Sequence, residues 1–381
     1  MEENCDVLII GGGPSGSIAA CKLLKAGFSV TILEKLEFPR FVIGESLLPK
    51  CNEVLESIGI LDVIKEQGFM LKPGAIFIDE NKIEEIIDFR DNLGQKCNTS
   101  FQVKREEFDN VLLQTAIKLG ADVRHKVEVI DYDNEKNIIY AQNEDGVKSS
   151  FKARFVLDAS GYGRVLPQLL NLDEPSDLKL RNAILTRMTG ETRRDKDNEG
   201  FIDIVIHDDN KAWFWGIPFS DGVTSIGIVC EENYFLDTGL SKEEFLLKAI
   251  NSHKYLKEKY KNAKQVAPVR IINGYSASIK KMYGKGFAMS GNATEFLDPV
   301  FSSGVTLALE SSSRVASLII DELNGKEVDW QKDYEDYMMM GINVFREFVY
   351  AWYSGKLRKI FYAKNKSKQI KQSIASILSG Y

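Results

Sequence analysis

The first forty residues constrain this chain most. An apolar run, Asp6-Val7-Leu8-Ile9-Ile10, leads straight into Gly11-Gly12-Gly13-Pro14-Ser15-Gly16. A short apolar run bounded by glycines reads as a buried parallel strand. Ser17 to Lys25 carries helix formers with apolar Ile18, Leu23 and Leu24, and a second strand-like run, Phe28 to Leu33, ends at acidic Glu34. Strand, glycine turn, helix, strand and acid in this order form a dinucleotide-binding fingerprint. Gly11 permits the tight turn, Gly13 lets backbone amides approach a pyrophosphate, and Gly16 allows close strand–helix packing. The helix start at Pro14 and Ser15 offers partial positive charge to phosphates. Glu34 is placed to accept hydrogen bonds from ribose hydroxyls.

At 381 residues the chain is long for one core and is expected to form two interlocked domains. A net charge of -6 gives no reason to expect nucleic-acid binding. No stretch approaches the length of a transmembrane helix. The acidic start, Met1-Glu2-Glu3-Asn4, lacks the basic and apolar pattern of a signal peptide. Five cysteines, Cys5, Cys21, Cys51, Cys97 and Cys230, occur without a C-x-x-C pair and fit free thiols in a reducing, cytoplasmic setting. His125, His207 and His253 lie far apart without metal-ligand spacing, so no metal site is expected.

Further along, Arg40 to Pro49 reads as a loop into a helix from about Lys50 to Gln67. Lys72 follows, directly before Pro73-Gly74, and strand-like runs come at Ala75 to Ile78 and Ile86 to Arg90. The block Phe101 to Asp109 opens a helix through about Leu119, and a strand pair is expected at Val127 to Tyr132 and Ile138 to Gln142. Phe155-Val156-Leu157 reads as a buried strand ending in Asp158-Ala159-Ser160-Gly161. From Leu166 to Ile272 strand-like segments dominate, as a sheet roofing a substrate cavity would. A long helix is expected from near Ser302, and the residues after Gly325 are largely helical in pattern. Their lysine-rich stretch, Lys356 to Lys371, reads as a solvated face.

These blocks, in this order and over nearly the whole chain, resemble the FAD-dependent hydroxylase superfamily and within it the flavin-dependent halogenases. Trp213-Phe214-Trp215-Gly216-Ile217-Pro218 matches that branch's W-x-W-x-I-P, and Phe296, Pro299, Ser302 and Gly304 match its F-x-x-P-x-x-S-x-G. The resemblance implies an α/β fold: a Rossmann-like FAD-binding domain (1–74, 101–165, 273–325), a β-sheet-rich substrate domain (75–100, 166–272) and a C-terminal helical segment (326–381). It implies that Arg40, the Gly44-Glu45-Ser46 block and Arg105 lie along the cofactor. Asp158 would do so in the place of the hydroxylases' Asp-Gly pair. Asn292, Asp298, Pro299 and Gly304 belong to the segment that contacts pyrophosphate, ribityl chain and isoalloxazine, with Asn292 standing where the family has aspartate.

The resemblance also assigns roles in the chemistry. Trp213 and Trp215 would keep substrate off the flavin; the plainer reading is a pair of core aromatics on one strand face. Amides at Ser302, Ser303 and Gly304 sit at a helix start, a ready anion site. Ser303 and Gly304 would hold chloride or bromide, unless these amides serve only the reduced flavin. Lys72 matches the family's catalytic lysine, which hydrogen-bonds hypohalous acid or forms a chloramine. Apolar surroundings would depress its pKa toward the neutral amine this requires; the plainer reading is a surface lysine. Tryptophan halogenases carry a glutamate where this chain has Phe301, so a phenolic, pyrrolic or carrier-bound aromatic is expected in place of free tryptophan. Single-component hydroxylases also manage with one dinucleotide fingerprint, but the mismatch at Asp158-Ala159-Ser160-Gly161, together with the two motifs above, favours FAD reduced by a separate flavin reductase. A flavin-dependent monooxygenase or geranylgeranyl-reductase-like enzyme, and a non-catalytic flavin-binding partner, stay open.

Overall fold

The structure, a computed structural model, describes residues 2–94, 96–209 and 211–381, and every candidate site residue falls within them. Two sheets organise it. In the first, parallel strands stand in the order Phe287–Met289, Lys148–Asp158, Glu2–Ile10, Val30–Glu34 and Asp122–His125. Their apolar residues are buried on both faces, as Val7, Leu8, Ile9 and Ile10 are, because helices cover the sheet. Ile10 pairs with both Leu33 and Asp158, and Asp158 pairs with Met289, so four strands end level. Ligands bind at such carboxyl ends in open parallel sheets.

The second sheet is mostly antiparallel, in the order Lys264–Gln265, Arg181–Thr189, Val223–Glu231, Ala212–Pro218, Ile202–His207, Gly74–Ile78 and Glu84–Asp88. Strand alternation divides its two faces. Val205, Phe214, Ile226 and Ile228 pack under the helix Lys242–Ser252 through Phe245, Leu246 and Ile250. Ile202, Ile204, Trp213, Trp215 and Ile217 face the other way, toward the core of the first sheet. The C-terminal helix Tyr337–Tyr353 closes one side, with Trp352 packed on Phe77 at a ring separation of 5.6 Å.

Three expectations change. The helix expected from Lys50 to Gln67 is two helices, Pro49–Ser57 and Leu61–Lys65, because Gly59 adopts a left-handed φ of 67° just past the first. The block expected to open a helix at Phe101 begins as the strand Ser100–Gln102, paired with Met70–Lys72, and the helix starts at Arg105. Within the lysine-rich stretch, Lys366 is not solvated: its side chain is 6% exposed and pairs with Glu85 at 2.9 Å.

Candidate active site

At the level strand ends the chain leaves each strand through a turn, and these turns enclose a cavity of about 650 Å³. Gly11 has φ 97°, and a Cβ there would stand 2.7 Å from the carbonyl oxygen of Ala159 in the next turn. A Cβ on Gly16 would meet the carbonyl oxygen of Gly11 at 2.0 Å, so the helix Pro14–Lys25 can start this close only over glycine. Glu34 ends its strand 5% exposed, accepting from the Gly12 N–H at 2.7 Å and the Leu36 N–H at 2.8 Å. The backbone thus fixes its carboxylate at the cavity wall.

Two arginines and one aspartate follow. Arg40 pairs with Asp109 at 3.0 Å, and Arg105 pairs with the same carboxylate through Nε at 2.7 Å while donating to the Ile43 carbonyl. Two guanidinium groups share one fully buried carboxylate, which holds both of them at the cavity wall. Asp109 lies in the helix Arg105–Lys118, four residues beyond Arg105, and sequence reasoning did not single it out. Its signal was that i,i+4 spacing.

Gly11, Gly13, Pro14, Ser15, Glu34, Arg40, Arg105, Asn292, Pro299, Gly304, Trp213 and Trp215 all line the cavity. Gly16, Asp158, Asp298, Ser303 and Lys72 do not line it. Asp158 is fully buried and accepts from the N–H groups of Ser160 and Leu166, so it shapes the turn behind the wall. Asp298 accepts from the Val300 N–H and from the hydroxyl of Tyr353, and burial pushes its carboxyl up. Ser302 has a left-handed φ of 58° and begins the helix Ser303–Leu323 with no side-chain cap. The first amides of that helix are left for an anion. A non-glycine residue held at that φ stores strain of the kind found at ligand sites.

The tryptophans form the roof. Their rings lie 6.0 Å apart, 1% and 4% exposed, with Trp213 donating to the Tyr353 hydroxyl at 2.9 Å and Trp215 to Ser225 at 3.2 Å. Gly227, directly opposite Trp215, makes room: a Cβ there would sit 2.2 Å from the ring. Only the strand register reveals this. Arg164 was missed for the same reason; it donates to the carbonyls of Asn292, Thr294 and Ser278 and pins the turn after Met289. Ser160 and Gly161, from the block after Phe155-Val156-Leu157, also line the cavity, as do Tyr162 and Tyr275, which lie in no recognisable motif.

Lys72 stands just behind the wall. It is 1% exposed, donates to the Leu47 carbonyl at 2.9 Å, and lies 5.2 Å from the centre of the Phe89 ring. Leu47 follows Ser46, which lines the cavity. Burial draws the amine down from 10.5 to about 7. Glu45, also buried at the wall, pairs with Arg187 at 2.7 Å, and burial holds its carboxyl above the usual range.

The FAD binding domain family matches residues 4–336. The 1H-pyrrole-2-carbonyl-(peptidyl-carrier protein) chlorinase of Pseudomonas fluorescens is 31% identical, covering 100% of this chain and 90% of that protein. The chain belongs to the flavin-dependent halogenases. Among solved structures, the myxobacterial chondrochloren halogenase CndH superposes with a TM-score of 0.85 at 28% identity, covering 99% of each chain. A flavoprotein/dehydrogenase from Cytophaga hutchinsonii does so with a TM-score of 0.94 at 43% identity, covering 100% of this chain and 93% of that one. This halogenase is an FAD-dependent oxidoreductase in an α/β fold. The residues fit the cofactor: a glycine turn that a Cβ would block, the Arg40 and Arg105 guanidinium groups at the wall beside it, and a Ser46 hydroxyl at the wall without a hydrogen-bond partner among the described residues.

Proposed function

We propose that this halogenase places chlorine or bromine on an electron-rich aromatic ring, free or carried on a carrier protein, and that Lys72 delivers the halogen. The observation that carries this reading is a fully buried lysine one residue behind the cavity wall, with its amine near neutrality at physiological pH. When bound, reduced FAD would supply two of the four electrons that O2 takes up, the halide giving the other two as it is oxidised. The chain's residues do the rest. Gly11, Gly13, the Pro14–Ser15 helix start, Arg40 and Arg105 hold the phosphates, and Glu34 the ribose. The Ser303 and Gly304 amides hold halide at the start of their helix. The packed rings of Trp213 and Trp215 keep the substrate away from the flavin.

A carrier-bound substrate is supported by the Pseudomonas chlorinase and by a brominase of Pseudoalteromonas luteoviolacea named for the same carrier-bound pyrrole, 27% identical. Phe301, packed 3% exposed against Phe348 and Trp352, leaves no carboxylate for an indole N–H at that position. The mismatch at Asp158-Ala159-Ser160-Gly161, together with the two halogenase motifs, supports reduction of FAD by a separate reductase, and five free cysteines support a cytoplasmic location. We assign flavin binding to 1–74, 101–165 and 273–325, substrate binding to 75–100 and 166–272, and a bracing role to 326–381.

The test supplies purified protein with a flavin reductase, NADH, chloride or bromide, and either a pyrrolyl carrier or a free phenol. Mass spectrometry should show halogenated product, and Lys72→Ala should abolish it while O2 consumption continues as peroxide. Peroxide alone from the wild type refutes the reading. Unchanged halogenation in Lys72→Ala refutes the role given to Lys72, whereas a wild type that oxidises a substrate without halogenating it favours a dehydrogenase activity, the reading its likeness to the Cytophaga protein supports.

A further inference from the structure

Among the described residues that line the cavity, the carboxylates are Glu34, Glu45 and Glu128. Glu34 is committed to the Gly12 and Leu36 N–H groups, and Glu128 is half exposed and paired with Lys35 at 2.6 Å. Glu45 differs from both. It is 1% exposed, and its backbone is fixed where its carbonyl accepts from the Val103 N–H at 2.7 Å. Its Oε1 accepts from Arg187 at 2.7 Å, while its Oε2 has no hydrogen-bond partner among the described residues. The large majority of buried side-chain polar atoms in folded proteins are paired, so a bare carboxyl oxygen at a cavity wall points to something the cavity holds.

The charges around Glu45 decide which form its carboxyl takes. Arg187 grips Glu106 with both arms of its fork, Nη1 on one oxygen and Nη2 on the other at 2.8 Å, but reaches Glu45 through Nη2 alone. A bidentate guanidinium–carboxylate pair is the stronger contact. Two carboxyls thus share one guanidinium, and the more exposed of them, Glu106, holds the tighter contact. The other groups facing Glu45 do not redress this. Arg105 is committed to Asp109 and the Ile43 carbonyl, and the Ser225 hydroxyl accepts from Trp215 at 3.2 Å. Burial lifts the Glu45 carboxyl above its ordinary value despite Arg187. Burial acts on Glu106 in the same sense, but there the Arg187 contact wins and holds the carboxyl below its ordinary value. Two neighbouring carboxyls pushed apart in this way mark one as the acid.

We propose that Glu45 is the acid that hands a proton to the oxygen chemistry in the cavity. The proposal rests on the halogenase reading above. Anionic reduced flavin, O2 and halide give oxidised flavin, hypohalous acid and water only when two protons are taken up. An oxygen–halogen bond forms and the O–O bond breaks. Glu45 gives its carboxyl proton to the oxygen that leaves as water, and the second proton comes from solvent. The carboxylate left behind is met by Arg187 at 2.7 Å and takes its next proton from water. Glu45 transfers the proton, and Arg187 and Glu106 are positioning residues that set when it holds one.

Glu45→Gln keeps the shape and the contact with Arg187 but has no proton to give. At saturating FAD it should cut halogenated product per O2 by about tenfold or more, with hydrogen peroxide rising to match, since general acids contribute about 10²–10⁴-fold. Resting protein gives a readout independent of turnover. At about pH 5.5, one unit above the ordinary glutamate value of 4.5, its infrared spectrum should carry a C=O band of a protonated carboxylic acid that Glu45→Gln lacks. In Glu106→Gln, Arg187 serves Glu45 alone, so this band should disappear at lower pH than in wild type. A wild type without the band, or a band that does not move in Glu106→Gln, overturns the acid. So does a Glu45→Gln enzyme whose product ratio equals that of a halogenating wild type. A wild type that makes peroxide alone overturns the function on which the acid rests.

Discussion

Replacing Lys72 by methionine separates what the buried lysine costs from what it does. Burial sets its amine near 7 in the folded protein, against 10.5 when exposed. Between those values the unfolded chain holds the proton more firmly than the folded one, and stability rises with pH wherever that is so. The cost of burying the charge is fully present below 7, shrinks through the window, and is gone above 10.5. From these two values, wild type recovers about 3 kcal/mol between about pH 6 and about pH 9.5 that Lys72→Met does not. Methionine keeps the apolar stem, removes the charge, and gives up a hydrogen bond to Leu47 worth about 1.5–3 kcal/mol. The variant should therefore be the more stable protein at acidic pH, and its advantage should shrink as the pH rises. Urea midpoints for both proteins across that range give the difference directly. A difference that stays flat with pH refutes the placement of a titrating amine at this depth. On the proposed function, the same variant makes no halogenated product at any pH.

Other substitutions probe the surrounding geometry. Arg40→Ala removes the guanidinium lying 3.3 Å from where a Gly13 Cβ would be, and the loss of one charge-assisted contact of about 1.5–3 kcal/mol should weaken FAD binding roughly 10- to 100-fold in a fluorescence titration. Gly227→Ala drives a methyl group into the Trp215 ring, and should lower stability by about 1–3 kcal/mol and product per O2 with it, as denaturation and oxygen-electrode measurements would show. Phe301→Glu buries a carboxylate against the rings of Phe348 and Trp352, so it should lower the melting temperature sharply and gain no activity toward tryptophan.

The glycine turn was legible because its spacing is local: Gly16 is demanded by contacts within one strand, turn and helix, although Gly11 is also held to glycine by Ala159 from a distant strand's turn. The tryptophan face was legible because strand alternation alone puts Trp213 beside Trp215. Burial of Lys72 was not legible. It depends on pairing with Ser100–Gln102, nearly thirty residues on, and the helix-forming residues after Arg105 drew the helical reading back over Phe101 and Gln102. The apolar pattern from Lys50 likewise runs through Gly59, and only its φ of 67° separates the two helices. Asp109, Arg164 and Gly227 lie outside every motif and meet their partners only through the fold.

Trp213 and the segment after Phe296 are two separate sequence motifs, yet one hydroxyl joins them. Tyr353, near the end of a C-terminal helix and outside every motif, accepts from Trp213 Nε1 at 2.9 Å and donates to Asp298 at 2.9 Å. Asp298 is 3% exposed, with burial pushing its carboxyl up, and the Arg181 guanidinium stacks 3.4 Å above the Tyr353 ring. The roof and the helix start that would hold halide are therefore held in register from a third element. Tyr353→Phe keeps the ring and its stack on Arg181 but orphans the Trp213 N–H and strips one of two hydrogen bonds from the Asp298 carboxylate. Each orphaned buried group costs about 1–3 kcal/mol, so the variant should unfold at clearly lower urea. If the link positions both motifs, halide KM and the product-to-peroxide ratio should worsen together while FAD affinity holds. A variant that unfolds early yet keeps both values would show that Tyr353 braces the fold without aligning the site.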